Sequence, residues 1–138
     1  MSEAEFTIVT PSFNQGRFLS ATLDSVARQT VTSYEHLIFD PGSTDASQDI
    51  ISAYTKQAPD RRRHVFGKDK SQTNAINLGF AEARGEYICW LNSDDAYFDA
   101  GVLAAVKERF ESDPAIDIVY GLGEFIDVSG NTIRSAYI

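Results

Sequence analysis

The sequence predicts an α/β domain with a mostly parallel sheet flanked by helices, on three observations. Short β-rich runs alternate four times with stretches whose apolar residues recur at helical spacing. The first strand-like runs exit into loops rich in turn formers, Pro11 to Gly16 and Asp40 to Asp45, each followed by a helical stretch. The length, 138 residues, fits one domain by the usual range of roughly 100 to 200.

Each element has its own signal. Phe6-Thr-Ile-Val-Thr10 reads as a first strand that stops at Pro11, with Pro11-Ser-Phe-Asn-Gln-Gly16 as its exit loop. From Phe18 to Thr30 the apolar residues Phe18, Leu19, Leu23, Val26 and Ala27 line one helical face. Tyr34-Glu-His-Leu-Ile-Phe39 is the second strand. It ends in Asp40-Pro-Gly-Ser-Thr-Asp45, where Gly42 permits a tight turn and Thr44 or Asp45 caps a helix from about Ala46 to Gln57, closed by Pro59. Arg62 to Phe66 reads as a third strand, Gly67 to Ser71 as a loop, and Gln72 to Ala83 as a helix stopped by Gly85. Glu86-Tyr-Ile-Cys-Trp-Leu91 is the most continuous apolar run, the pattern of a central strand covered on both faces, and it ends at Asn92-Ser-Asp-Asp95. Asp99 is expected to cap a last helix to about Ser112. Ala115 to Tyr120 and Glu124 to Val128 read as two more strands, the second turning at Ser129-Gly-Asn131.

Composition narrows the function. Hydrophobic residues make up 43% and charged ones 23%, which excludes a disordered chain. Acids outnumber bases 20 to 12, a net charge of −8, which opposes nonspecific attraction to nucleic acid and requires a local cation for any anionic ligand. The single cysteine, Cys89, sits in an apolar run, excludes an intrachain disulfide and points to burial in a reducing compartment. The first residues carry no signal-peptide pattern and no apolar run approaches the ~20 residues of a membrane span. The expected location is the cytoplasm, or the periphery of the inner membrane face.

In open parallel sheets, ligands bind beyond the carboxyl ends of the strands. Three such ends are chemically loaded: Pro11-Ser-Phe-Asn14, Asp40-Pro-Gly-Ser43 and Asn92-Ser-Asp-Asp95. Together they offer an aromatic ring, an isolated carboxylate and a carboxylate pair, a set that suits a nucleotide with a metal. Asp94 and Asp95 have two readings, a helix-leading turn or ligands to Mg2+ or Mn2+; zinc would require nitrogen and sulfur ligands this chain scarcely has. A bare acidic lip would repel phosphate by about 4 kcal/mol per contact at ~4 Å and an effective dielectric of 20, and a divalent ion reverses that sign. Asp40 is either a turn acid or an acceptor for a nucleobase N–H, and Phe13 either core or a platform for a base. Arg61-Arg-Arg63 reads as a solvated run and Trp90 as core, while His36 and His64 receive no role. The phosphate loop G-x-x-x-x-G-K-[ST], the dinucleotide fingerprint and the G-x-S-x-G elbow are all missing.

At this point the residues resemble a known family, the inverting glycosyltransferases of family 2 with the GT-A (Rossmann-like) fold. Thr7-Ile-Val-Thr-Pro-Ser-Phe-Asn14 resembles its opening strand and P-x-Y-N loop, Ser25-Val-Ala-Arg-Gln-Thr30 its S-x-x-x-Q-T helix end, and Phe39 to Asp45 its D-x-G-S-x-D turn. Asn74-Ala-Ile-Asn-Leu-Gly79 with Ala83-Arg-Gly-Glu-Tyr-Ile88 is similar to the N-x-G…A-x-G-E-Y-I segment, and Trp90 to Asp95 to the D-x-D region. The resemblance implies a nucleotide-diphosphate sugar donor bound at Pro11, Ser12, Phe13, Asn14, Asp40, Gly42, Asn74 and Ser93. Phe13 would stack on the base and Asp40 would accept from its edge. It implies a divalent metal, Mn2+ or Mg2+, at Asp94 and Asp95, and transfer to an acceptor hydroxyl of a saccharide or lipid-linked saccharide. Three departures stand out: Phe13 for tyrosine, Pro41 where an acid or glycine is frequent, and Asn92 for the first acid of D-x-D. The family's catalytic base is expected beyond Ile138, so residues 1–138 read as one C-terminally truncated donor-binding domain, with self-association expected through an exposed sheet edge. The competing readings are a non-catalytic nucleotide-binding module and a phosphotransfer receiver; the latter requires its acid pair after strand one, where Ser12-Phe-Asn14 stands.

Overall fold

In the computed structural model, which describes residues 4–67 and 70–136, the first strand, β1 (Phe6–Pro11), is buried along its whole length. It is followed by α1 (Gly16–Ala27), β2 (Tyr34–Asp40), α2 (Ser47–Gln57), β3 (Arg62–Phe66), α3 (Gln72–Glu82), β4 (Tyr87–Trp90) and α4 (Val102–Ser112). Two further strands, β5 (Gly123–Ile126) and β6 (Thr132–Ala136), close the order. Lys68 and Asp69 of the expected loop, and Ile138, lie outside the described residues.

The chain divides into two compact units, residues 1–104 and 105–138. The first holds the sheet. Its order is β3-β2-β1-β4 with every pair parallel, as four β-α alternations require. Side chains of a strand alternate between faces, and the two cores follow this rule. Ile38 packs with Leu19, Leu23, Ile51 and Tyr54 from α1 and α2, whereas Leu37 and Phe39 pack with Val9 and with Ala75 of α3. Pro11 ends β1 without disturbing its pairing with β2, because the next amide, Ser12 N–H, donates to Phe39 O at 2.8 Å.

Four expectations are corrected. The apolar run at Tyr87–Trp90 is an edge of the four-stranded sheet, not its centre; the fully buried strands are β1 and β2, which have a neighbour on each side. Trp90 is accordingly 53% exposed rather than core. Ala115 to Tyr120 forms no strand, since a strand exists only with a partner; the pairing in the second unit is the antiparallel hairpin β5–β6. Its turn is held by Asp127, whose carboxylate accepts from the amides of Ser129 at 2.8 Å and Asn131 at 2.9 Å. The triple arginine is not a solvated run either. Arg62 is 6% exposed, with its guanidinium 4.0 Å over the Tyr54 ring, while Arg61 covers Tyr34 and Arg63 pairs with Glu35 at 3.5 Å. Cys89 is half-buried, and burial pushes its thiol up to about 11. Asp99 accepts from Gly101 N–H at 2.7 Å, just ahead of α4. No helix among the described residues is long and apolar enough to cross a membrane.

Buried polar groups brace this fold. Glu35 accepts from Thr7 Oγ1 at 2.8 Å and from Arg84 N–H at 2.7 Å, and Gly85 N–H donates to Thr7 Oγ1 at 2.8 Å. The A-x-G segment is thereby fastened to the sheet, at the opposite strand ends from the loops discussed below. His36, unassigned from sequence, is fully buried, with Nε2 2.8 Å from Thr10 Oγ1 and Nδ1 2.9 Å from Tyr54 Oη. Burial, aided by Arg62, lowers its pKa from the ordinary 6.5 to about 3. The folded state thus holds the ring neutral while the unfolded chain takes up a proton below pH 6.5, so stability is full above that pH and lost as pH falls toward 3. Urea unfolding at pH 7.5 and 5.0 should differ by about 2 kcal/mol from this group, and His36→Gln should flatten the difference. Equal stability at the two pH values would show that the ring titrates in the fold.

Candidate functional site

The loops at the carboxyl ends of β1 and β2 fold as one body. Asn14 adopts φ 51°, a left-handed conformation that asparagine tolerates better than most residues. Its N–H donates to Ser43 Oγ at 2.8 Å and its Oδ1 accepts from Thr44 N–H at 2.8 Å. Asp40 holds the second loop in its turn: Oδ1 accepts from the amides of Gly42 and Ser43 at 2.9 and 2.7 Å, and Oδ2 from Ser43 Oγ at 2.5 Å. Gly42, at φ 132°, is what lets the backbone reverse there. Asp45 then serves both helices, accepting from Ser47 N–H at the start of α2 and from Gly16 N–H at the start of α1, each at 2.9 Å. Those bonds hold its carboxyl below the ordinary range.

With its flanks fixed, Phe13 stands out of the loop at 58% exposure, although aromatic rings are usually buried. It lines a crevice of about 670 Å³ together with Pro11, Ser12, Ser93 and Asp94. That volume is in the range of small-molecule sites. Ser12 is only 4% exposed, and its Oγ has no hydrogen-bond partner among the described residues.

Of the remaining residues singled out from sequence, Asn14, Asp40 and Gly42 shape the wall through the bonds above. Asn74 lies at the start of α3, where its N–H donates to the capping Ser71 Oγ at 3.1 Å and its Oδ1 accepts from Lys70 N–H at 3.1 Å. Asp95 accepts from Asn92 Nδ2 at 3.2 Å, leaving Asp94 as the carboxylate on the crevice wall. Among the described residues, no cluster of three or more His, Cys, Asp or Glu is placed to hold a metal ion.

Sequence reasoning passed over Lys70 and Gln72 and marked Asn92 only as a departure from the first acid of D-x-D; all three line the same crevice. Lys70 brings an ammonium to the crevice of a chain whose net charge is −8. No motif marks it; the signal available was its position in the exit loop of β3, the one strand end left out of the sequence reading.

The segment after Asp95 is pinned by the S-x-x-x-Q-T residues. Gln29 donates to Asp99 O at 2.7 Å and accepts from Leu103 N–H at 3.0 Å, while Ser25 Oγ accepts from Tyr97 N–H at 3.1 Å.

Comparison with known proteins decides the family. Residues 7–136, nearly the whole chain, match the family described as "Glycosyl transferase family 2". The chain belongs to glycosyl transferase family 2. This family 2 chain is 33% identical over 132 residues to an uncharacterised glycosyltransferase of Nostoc, covering 96% of the chain and 40% of that protein. It is also 33% identical over 121 residues to a PGL/p-HBAD biosynthesis glycosyltransferase of Mycobacterium tuberculosis, covering 88% and 47% respectively. The family 2 chain therefore spans less than half the length of these relatives.

Two solved structures share the GT-A fold. A mannosyltransferase from Pyrobaculum calidifontis, solved with GDP-Man and Mn2+, has a TM-score of 0.73 at 20% identity over 84% of this chain and 34% of its own. TarS residues 1–349 from S. aureus, solved with UDP-GlcNAc, has a TM-score of 0.70 at 17% identity over 88% and 40%.

Proposed function

We propose that the crevice binds a nucleoside diphosphate sugar through a divalent cation, Mn2+ or Mg2+, for inverting transfer of the sugar to an acceptor hydroxyl. The observation that carries this reading is the convergence, in one crevice, of a protruding ring, a buried hydroxyl without a hydrogen-bond partner among the described residues, an ammonium and a carboxylate. Phe13 offers a face to the base. Ser12 Oγ and Lys70 offer donors to phosphate oxygens.

The residues present fit a hard cation: Asp94 supplies one carboxylate, and Mg2+-type ions are commonly held by one or two carboxylates with substrate phosphates and water completing the shell. When bound, such an ion offsets the charge that develops on the departing diphosphate. In the displacement, the acceptor oxygen forms the new bond at the anomeric carbon as the bond to the diphosphate breaks, and a general base takes the acceptor's proton. The proposal gives residues of the first unit the donor side of this reaction and assigns none of them as the base. The ligands of the two solved neighbours support the donor class.

Calorimetric titration with UDP and with GDP, each with and without Mn2+, tests the reading. One nucleotide should bind in a Mn2+-dependent manner, and Asp94→Asn should weaken that binding by at least ~10-fold while leaving the melting curve intact. Unchanged affinity in the variant would remove Asp94 from the cation site; no binding of either nucleotide to the parent chain would overturn the assignment.

A further inference from the structure

Asn92, which stands where the family's first acid is expected, has a side chain committed at both ends. Its Oδ1 accepts from Trp90 Nε1 at 2.8 Å and from Gln72 Nε2 at 2.7 Å, and its Nδ2 donates to Asp95 Oδ2 at 3.2 Å. The two ends cannot be exchanged, because an indole N–H only donates and a carboxylate only accepts. Aspartate at this position would still satisfy Trp90 and Gln72, but it would face Asp95 with like charge and no proton to offer. Asn92 therefore ties Asp95 back to the end of β4 and leaves Asp94 as the lone carboxylate among the described residues lining the crevice. A hard divalent ion takes about six oxygen ligands, and a single carboxylate is a poor resident site. Two other polar groups of the crevice, the buried Ser12 hydroxyl, which has no partner among the described residues, and the Lys70 ammonium, suit anionic oxygens.

We propose that Asn92 is a positioning residue that keeps the cation site incomplete, so that the crevice takes cation and diphosphate together as one complex rather than holding a resident ion onto which the nucleotide then binds. This rests on the nucleotide-diphosphate reading above. The order of assembly follows from the ligand count: the diphosphate supplies the oxygens that the protein withholds.

The chain carries its own reporter for the test. Trp90 is the only tryptophan, and its indole is bonded to Asn92 itself, so its emission senses this cluster. In the parent chain, MnCl2 alone should leave the emission unchanged at concentrations where MnCl2 with UDP or GDP gives a saturating change. Asn92→Asp should gain a saturable response to MnCl2 alone, with affinity raised on the order of tenfold or more, because it adds one carboxylate and releases a second. Asn92→Ala, which releases Asp95 without adding charge, should gain less, and circular dichroism melts should show both variants folded.

Binding of MnCl2 alone to the parent chain as tightly as in the presence of nucleotide would overturn the inference, and so would the absence of any gain in Asn92→Asp. Failure of the nucleotide reading is distinguishable: the parent chain would then respond to no cation–nucleotide mixture, whereas failure of this inference appears in the MnCl2-only arms with nucleotide binding intact.

Discussion

Gly85→Ala is expected to destabilise the first unit by about 3 kcal/mol or more, although it adds a single methyl group. A Cβ at this position would lie 2.5 Å from Phe6 C and Thr7 N and 2.9 Å from Thr7 Oγ1. Two of those three atoms are backbone of a fully buried strand, so no rotamer change relieves the overlap. The chain would have to pull residues 84–85 off the sheet, and that movement would break the bonds from Gly85 N–H to Thr7 Oγ1 and from Arg84 N–H to the buried Glu35. Urea unfolding of the two proteins side by side gives the difference directly. A loss below about 1 kcal/mol would show that the segment accommodates a side chain and that the close approach is not a constraint.

Asp40→Ala should have an effect of similar size, about 3 kcal/mol, for a different reason. Asp40 is buried, and its carboxylate gathers two backbone amides, the Ser43 hydroxyl and Gln48 Nε2, the last at 3.3 Å. Removing it takes away, from a fully buried position, the single acceptor group that these four donors share and that holds the turn. Its functional consequence separates the two roles read from the sequence. If the carboxylate only holds the turn, Asp40→Asn, whose carbonyl oxygen still accepts from the amides, lowers UDP and GDP affinity in the same proportion. If it also reads the base, the ratio of the two affinities changes. Titrating both nucleotides well below the melting temperature decides between them.

The alternation of elements was legible in the sequence because amphipathic helices and strand exits leave periodic and compositional marks. The location of the crevice followed from the topology those marks imply. What was illegible is whatever depends on neighbours. Tyr87 to Leu91 is apolar enough to be a central strand, but centrality is a matter of having a strand on each side, and no run encodes that. Ala115 to Tyr120 alternates like a strand and pairs with nothing among the described residues. Arg62 looks solvated until the fold brings the Tyr54 ring beneath it. Of the residues lining the crevice, Phe13 and Asp94 were anticipated because each sits in a recognisable loop, and Lys70 was not because its loop carries no pattern. Asn92 showed as a departure from an acid, yet its meaning lies in three partners, one of them twenty residues away.

The bonds that join Asn14 to Ser43 and Thr44, and Asp45 to Gly16, make two distant stretches of sequence a single heritable piece. Grafting the Pro11–Asn14 loop of another family member into this chain would strand the amide of Thr44 wherever the graft lacks the Asn14 side-chain acceptor, unless the Asp40–Asp45 loop came with it. The unit of exchange, for a protein engineer or for recombination, is the pair.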